Sequence, residues 1–91
     1  MAYTLSILPG AAKELRKLPK HIGLSINKKI KLLLVDPRPN GYRKLTKFST
    51  PRTQLEPLYR MRVGDYRVVY SIQEEEITIT VVKIAHRKEV Y

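Results

Sequence analysis

The sequence predicts an α+β domain in which a helical hairpin packs on one face of a mainly antiparallel four-stranded sheet, in the order β-α-α-β-β-β. Three observations lead there. A short β-prone stretch opens the chain. Apolar residues then recur at helical spacing from about residue 11 to 35. The last third is rich in β-branched and aromatic residues and is broken by two turns. The 91 residues suffice for one small domain and are too few for two, so a single domain over 1–91 is expected.

YTLSIL, residues 3–8, forms the first strand, and Pro9-Gly10 ends it. The first helix covers about 11–18, with Ala12, Leu15 and Leu18 on one face and Lys13, Arg16 and Lys17 opposite. Pro19 opens the second helix, since proline suits the first helical turn. Ile22, Ile26, Ile30 and Leu33 or Leu34 mark its buried stripe, and Asp36-Pro37 stops it near Val35. Pro37, Pro39, Asn40-Gly41, Pro51 and Pro57 make 36–57 a long connection, with one short turn of structure around Tyr42 to Lys47. Strands are expected at 58–63, 66–72 and 77–84.

The hairpin YRMRVGDYRVVY, residues 59–70, carries three arginines. A two-residue turn at Gly64-Asp65, glycine first as type II′ prefers, places Val63 opposite Tyr66 and Arg62 opposite Arg67. Side chains alternate along a strand. One face then holds Tyr59, Met61, Val63, Tyr66, Val68, Tyr70 and Ile72, and the other holds Arg60, Arg62, Arg67, Val69 and Ser71. Like charges directly across a strand pair are destabilising, and no carboxylate falls on that face of the hairpin. An anion-binding role is therefore expected for it. A four-residue turn at 73–76 continues the pattern, with Ile77, Ile79 and Val81 on the apolar face and Thr78, Thr80, Val82 and Ile84 beside the arginines. That second face, uncovered by helix, is expected to form a shallow basic groove. His86, Arg87, Lys88 and Tyr91 follow in the closing AHRKEVY.

Charge narrows the function. Eighteen Lys and Arg against eight Asp and Glu give +10, which points to a polyanionic partner. With no cysteine there is neither a disulfide framework nor a thiolate metal site, which suits a reducing cytoplasm. The two histidines are far apart and no carboxylates pair at ligand spacing, so neither a metal nor another cofactor is expected. The longest apolar run, Leu32–Val35, is far too short to span a membrane. The chemistry left is cationic and phenolic, and it suits metal-free RNA cleavage. Arginines hold the scissile phosphate and stabilise its growing charge, while the RNA supplies its own 2′-OH as nucleophile.

MAYTLSILPGAAKELRKL, LYRMRVGDYRVVYSI and IAHRKEVY together resemble the RelE-type toxins of the RelE/ParE superfamily, over nearly the whole chain except residues 46–57. The resemblance implies a ribosome-dependent mRNA endonuclease that cuts in the ribosomal A site. It also implies a cytoplasmic toxin–antitoxin complex with a cognate, acidic antitoxin. By position, it puts the family's basic pair on Arg60 and Arg62, its next strand arginine on Arg67, its late arginine on Arg87 and its late tyrosine on Tyr91. The best-known members carry lysines where Arg60 and Arg62 stand. Arginine cannot shed its proton at any useful pH, so the base would be Tyr91, His86 or a group on the ribosome. Other readings share the fold: a ParE-type inhibitor of DNA gyrase, a non-catalytic RNA-binding module, and an inactive toxin that keeps only antitoxin binding.

Overall fold

Proline lacks the N–H that a first helical residue would leave unbonded anyway, and its fixed φ suits a helix start. Pro9 accordingly opens α1 (Pro9–Arg16) instead of closing the strand before it, β1 (Thr4–Ile7). This earlier start accompanies burial of Ala11, not Ala12, on the inner face. Pro19 sits at the cap of α2 (Lys20–Leu33), which ends two residues before Val35. Then come β2 (Arg43–Leu45), β3 (Leu58–Val63), β4 (Tyr66–Gln73), β5 (Thr78–His86) and the short α3 (Arg87–Val90). The computed structural model describes residues 2–45 and 57–90.

The sheet order is β1-β5-β4-β3-β2, with β1 parallel to β5 and the remaining pairs antiparallel. The α+β class and the mainly antiparallel sheet are as the sequence predicts, but among the described residues the sheet has five strands where four are expected. The addition is β2, three residues of the proline-rich connection that pair with Leu58–Arg60. A strand of three residues is too short to display an alternation. The expected short structure near Tyr42 is thus an edge strand, and 46–56 lie outside the described residues.

Ile26, Ile30 and Leu33 from α2 and Ala11 from α1 bury against Met61, Val68, Tyr70, Ile72, Ile79, Val81 and Ile84. Each fully buried aliphatic side chain stabilises by about 1.5–3 kcal/mol, so this layer fixes which sheet face is inner. The β3–β4 register is the expected one, from Leu58↔Ser71 to Val63↔Tyr66. Gly64 has φ +59° and Asp65 does not share the positive φ, the signature of a type II′ turn.

Two departures lie on β5. The turn after β4 spans 74–77, since Gln73 pairs with Thr78. Ile77, expected on the apolar face, is instead a half-exposed turn residue with φ +49°. More consequentially, Tyr70 pairs with Val81 whereas Val69 pairs with Lys83, so Val82 is one residue extra. A bulge of this kind reverses alternation beyond it. Ile84 therefore faces the helices opposite Val68, and Ala85 lies beside Arg67, the reverse of the expected placement. The outer face is also not an open groove. Leu58, Val69, Val82 and Ala85 form a second buried cluster there, with Leu8 and Leu45 against it.

The outer edge of β5 past the end of β1 is covered by one side chain of α1. Glu14 accepts the Ile84 N–H at 3.1 Å through one oxygen and the Lys83 ammonium at 3.0 Å through the other. Across the molecule, the Tyr70 hydroxyl donates to the Pro37 carbonyl at 2.8 Å, tying the connection after α2 to the central strand. At the β4–β5 turn, the Arg38 guanidinium lies 2.6 Å from a Glu74 oxygen and, with the Tyr3 hydroxyl donating to the other, holds that carboxyl below its usual range.

Burial pushes the Tyr70 phenol well above its ordinary value, so the fold favours its neutral form. Its contribution is fully present below the unfolded pKa of about 10 and is lost as pH rises past it. Tyr70→Phe is expected to cost about 1 kcal/mol at neutral pH through the lost hydrogen bond. The variant should also destabilise less steeply above pH ~10 than the parent. Urea unfolding followed from neutral to alkaline pH checks both.

Candidate functional site

The hairpin register places Arg62 directly opposite Arg67, and the short edge strand places Arg43 opposite Arg60. Two like-charged cross-strand pairs therefore stand side by side on the outer face, each unfavourable by itself. Arg62 is exposed and Arg60 half-buried. Arg67 is only 5% exposed. Its Nη1 donates to the Tyr66 carbonyl at 3.2 Å, and its buried Nε has no hydrogen-bond partner among the described residues. A buried donor left unmade costs about 1–3 kcal/mol, more on a charged group.

The bulge at Val82 decides where the chain's last residues go. His86 pairs with Tyr66, their rings in edge contact at 5.5 Å, and so belongs to the helix side of the sheet, away from Arg67. The His86 Nδ1 accepts the Lys88 N–H at 3.3 Å. An imidazole engaged this way carries its own proton on Nε2, so it presents a donor, not a free lone pair. Arg87 follows at the start of α3, exposed, with its N–H donating to the Asp65 carbonyl at 2.8 Å. The arginines at 62, 67 and 87 thus gather at the Gly64-Asp65 end of the sheet. Tyr91 lies outside the described residues.

Beside this cluster a cavity of about 490 Å³ opens between α2 and the β3 edge. It exists because β2 pairs no further than Arg43↔Arg60, which leaves Met61–Val63 without a strand neighbour on that side among the described residues. Its lining combines Lys29, Arg43, Arg60 and Arg62 with Leu32, Leu33, Met61 and the Pro39-Asn40-Gly41 turn, and no carboxylate is among these residues. Lys29 and Arg43 were not legible as site residues. Lys29 reads as a solvated helix cation, and Arg43 joins Arg60 only through a three-residue strand pairing. No group of residues that could hold a metal ion occurs among the described residues.

A model of the ParE toxin family of type II toxin–antitoxin systems, parDE, matches residues 5–91. The chain belongs to the RelE/ParE superfamily of toxins. The Mycobacterium tuberculosis toxin RelE is 33% identical to this toxin over 89 residues, covering 98% of this chain and 86% of that one. The archaeal RelE–RelB complex from Pyrococcus horikoshii OT3 contains a chain that is 30% identical, with a TM-score of 0.79, over 98% of this toxin and 99% of its counterpart. The isolated E. coli RelE toxin matches at 28% identity and a TM-score of 0.73, over 93% and 84% of the two chains. The protein is a RelE-like toxin of a toxin–antitoxin system, as its sequence resemblance implies. No helix among the described residues is long and apolar enough to cross a membrane.

Arg67→Met keeps most of the side-chain volume while removing both the unpartnered Nε and the charge facing Arg62. Replacing a buried charge by an apolar side chain of similar volume is commonly neutral or stabilising. The variant is expected to match or exceed the parent's urea midpoint. A midpoint that falls by the equivalent of about 3 kcal/mol or more, the cost of breaking a buried ion pair, would make Arg67 a structural cation.

Proposed function

We propose that this toxin is a ribosome-dependent, metal-independent mRNA endonuclease that uses the 2′-OH of the RNA to attack the adjacent phosphate in the ribosomal A site. The observation that carries this reading is Arg67: a buried cation short of an acceptor, set against Arg62 across the strand and near Arg87 at the same end of the sheet. A phosphate is the partner such a set lacks. Its non-bridging oxygens would accept from the Arg67 guanidinium, held by burial and by its bond to the Tyr66 carbonyl, so little reorganisation is needed there as charge develops in the transition state. Arg60 and Arg62 stay charged throughout and serve to hold and stabilise, not to accept a proton. With its Nδ1 engaged and its ring on the Tyr66 side, His86 is poorly placed as the base. That duty falls to Tyr91 or to a group on the ribosome.

The antitoxin partner is, in this reading, an acidic and partly disordered chain that folds on the toxin. The sequence of α2 contains no acidic residue, and it exposes Leu24 and Leu32 among Lys20, Lys28 and Lys31, with Val35 just beyond. Such a surface suits a segment that brings carboxylates and apolar anchors together.

Added to translating ribosomes, the toxin is expected to yield mRNA fragments with a 2′,3′-cyclic or 3′ phosphate and a 5′-OH. Fragments with 5′-phosphate ends would exclude 2′-OH attack. Gyrase inhibition with intact mRNA would select the ParE mode instead, an outcome that the match to the ParE family model makes worth measuring.

Arg62→Ala and Arg87→Ala, both at exposed positions, are each expected to slow cleavage about a hundredfold or more while the domain stays folded. Tyr91→Phe separates two roles. A proton-transfer role loses as much rate on removal of the hydroxyl as on removal of the ring, whereas a stacking role retains most activity in Phe. Single-turnover cleavage with melting curves for each variant provides the comparison.

A further inference from the structure

The cleavage reading needs arginines at a phosphate, yet it leaves the cavity between α2 and the β3 edge without a task. Its volume of about 490 Å³ lies within the ~300–1,000 Å³ range of small-ligand pockets. Its lining is two-sided in chemistry. Leu32, Leu33 and Met61 supply an apolar wall, while Lys29, Arg43 and Arg62 bring cations from a helix, an edge strand and its neighbour. Asn40 adds a side chain that can both donate and accept, on a turn where Gly41 has φ +90°. A simple anion needs only the cations. The apolar wall beside them calls for a ligand with a flat, weakly hydrated part.

Resting on the nuclease reading above, we propose that this cavity is a nucleotide subsite. It takes one nucleoside of the RNA strand next to the cleaved bond, with the base against Leu32 and Met61 and its phosphate among Lys29, Arg43 and Arg62. Three features favour a nucleotide over a glutamate-rich peptide. Guanidinium planes stack on bases as well as bind phosphate. An amide such as that of Asn40 meets base edges in a paired donor–acceptor geometry. Arg62 lies both in the cavity and opposite Arg67, so one strand position links the subsite to the phosphate cluster. A nucleotide seated here continues directly into the reacting phosphate. The subsite therefore contributes to which nucleotide the toxin accepts beside the cut.

The test is titration of the free, full-length toxin with a nucleoside 3′-monophosphate, inorganic phosphate and a glutamate-rich peptide of matched charge, followed by NMR. The nucleotide is expected to shift resonances of Lys29, Leu32 and Met61 and to bind more tightly than the other two ligands. Lys29→Ala and Arg43→Ala, both at exposed positions, should weaken it about tenfold or more, the worth of a charge-assisted hydrogen bond. On the ribosome these variants should raise KM or change the preferred nucleotide. Equal binding by inorganic phosphate, or preference for the peptide, would overturn the proposal. Ribosomal cleavage unaffected by Lys29→Ala and Arg43→Ala would overturn the subsite while leaving the nuclease reading intact. Nucleotide binding at these residues by a toxin that leaves mRNA whole would instead sink the nuclease reading and keep the site.

Discussion

The two-residue turn at Gly64-Asp65 is the constraint from which the rest of the molecule follows. It sets Val63 against Tyr66, and with a side-chain period of two it sends Met61, Val68 and Tyr70 inward together. A slip of one residue would carry that entire set to the outer face. Ile26, Ile30 and Leu33 of α2 have a matching surface only in the observed register, so the turn and the helical layer enforce each other. The same register leaves no freedom for the arginines. Once Tyr70 is buried, Arg60, Arg62 and Arg67 must share the opposite face, and Arg62 must meet Arg67.

The outer face is therefore a place where stability is given up locally because the fold elsewhere can bear it. A buried guanidinium with an unsatisfied Nε and two like-charged cross-strand pairs are each unfavourable. The neighbouring cluster of Leu58, Val69, Val82 and Ala85 offsets this with apolar burial and holds the guanidinium-bearing strands in place. The proposed charge stabilisation at a phosphate depends on such rigidity, since a cation free to swing into water gains little from a phosphate. The inner side of the scaffold is conventional: a short helical hairpin on a mixed sheet, with Glu14 covering β5 past the end of β1 and β2 pairing with Leu58–Arg60 of β3.

The bulge at Val82 has an effect out of proportion to its size. One extra residue reverses the alternation of β5 beyond it, sending Ile84 to the core and His86 to the side of Tyr66. It brings Ala85, a side chain without charge or bulk, next to Arg67. The His86 imidazole is thereby moved away from Arg67. That placement concentrates the chemistry of the outer face on permanently charged groups.

The sequence by itself determined the fold class, the helical hairpin, the hairpin register and the opposition of Arg62 and Arg67. All of these rest on local rules, namely helical spacing, turn chemistry and alternation, that act over a few residues. The grouping of Arg62, Arg67 and Arg87 at a candidate site was legible in part from this register and in part from resemblance. What the tertiary structure decided depends on contacts between distant segments. β2 is a strand only because β3 offers it an edge, and that pairing brings Arg43 to Arg60 and opens the cavity against Lys29. Val82 becomes an extra residue only through how β5 seats on β4, so no period counted along β5 could show that Ile84 turns inward. The burial of Arg67 is likewise a property of what surrounds it: its charge is written in the sequence, and the lack of an acceptor for its Nε among the described residues is written in the packing.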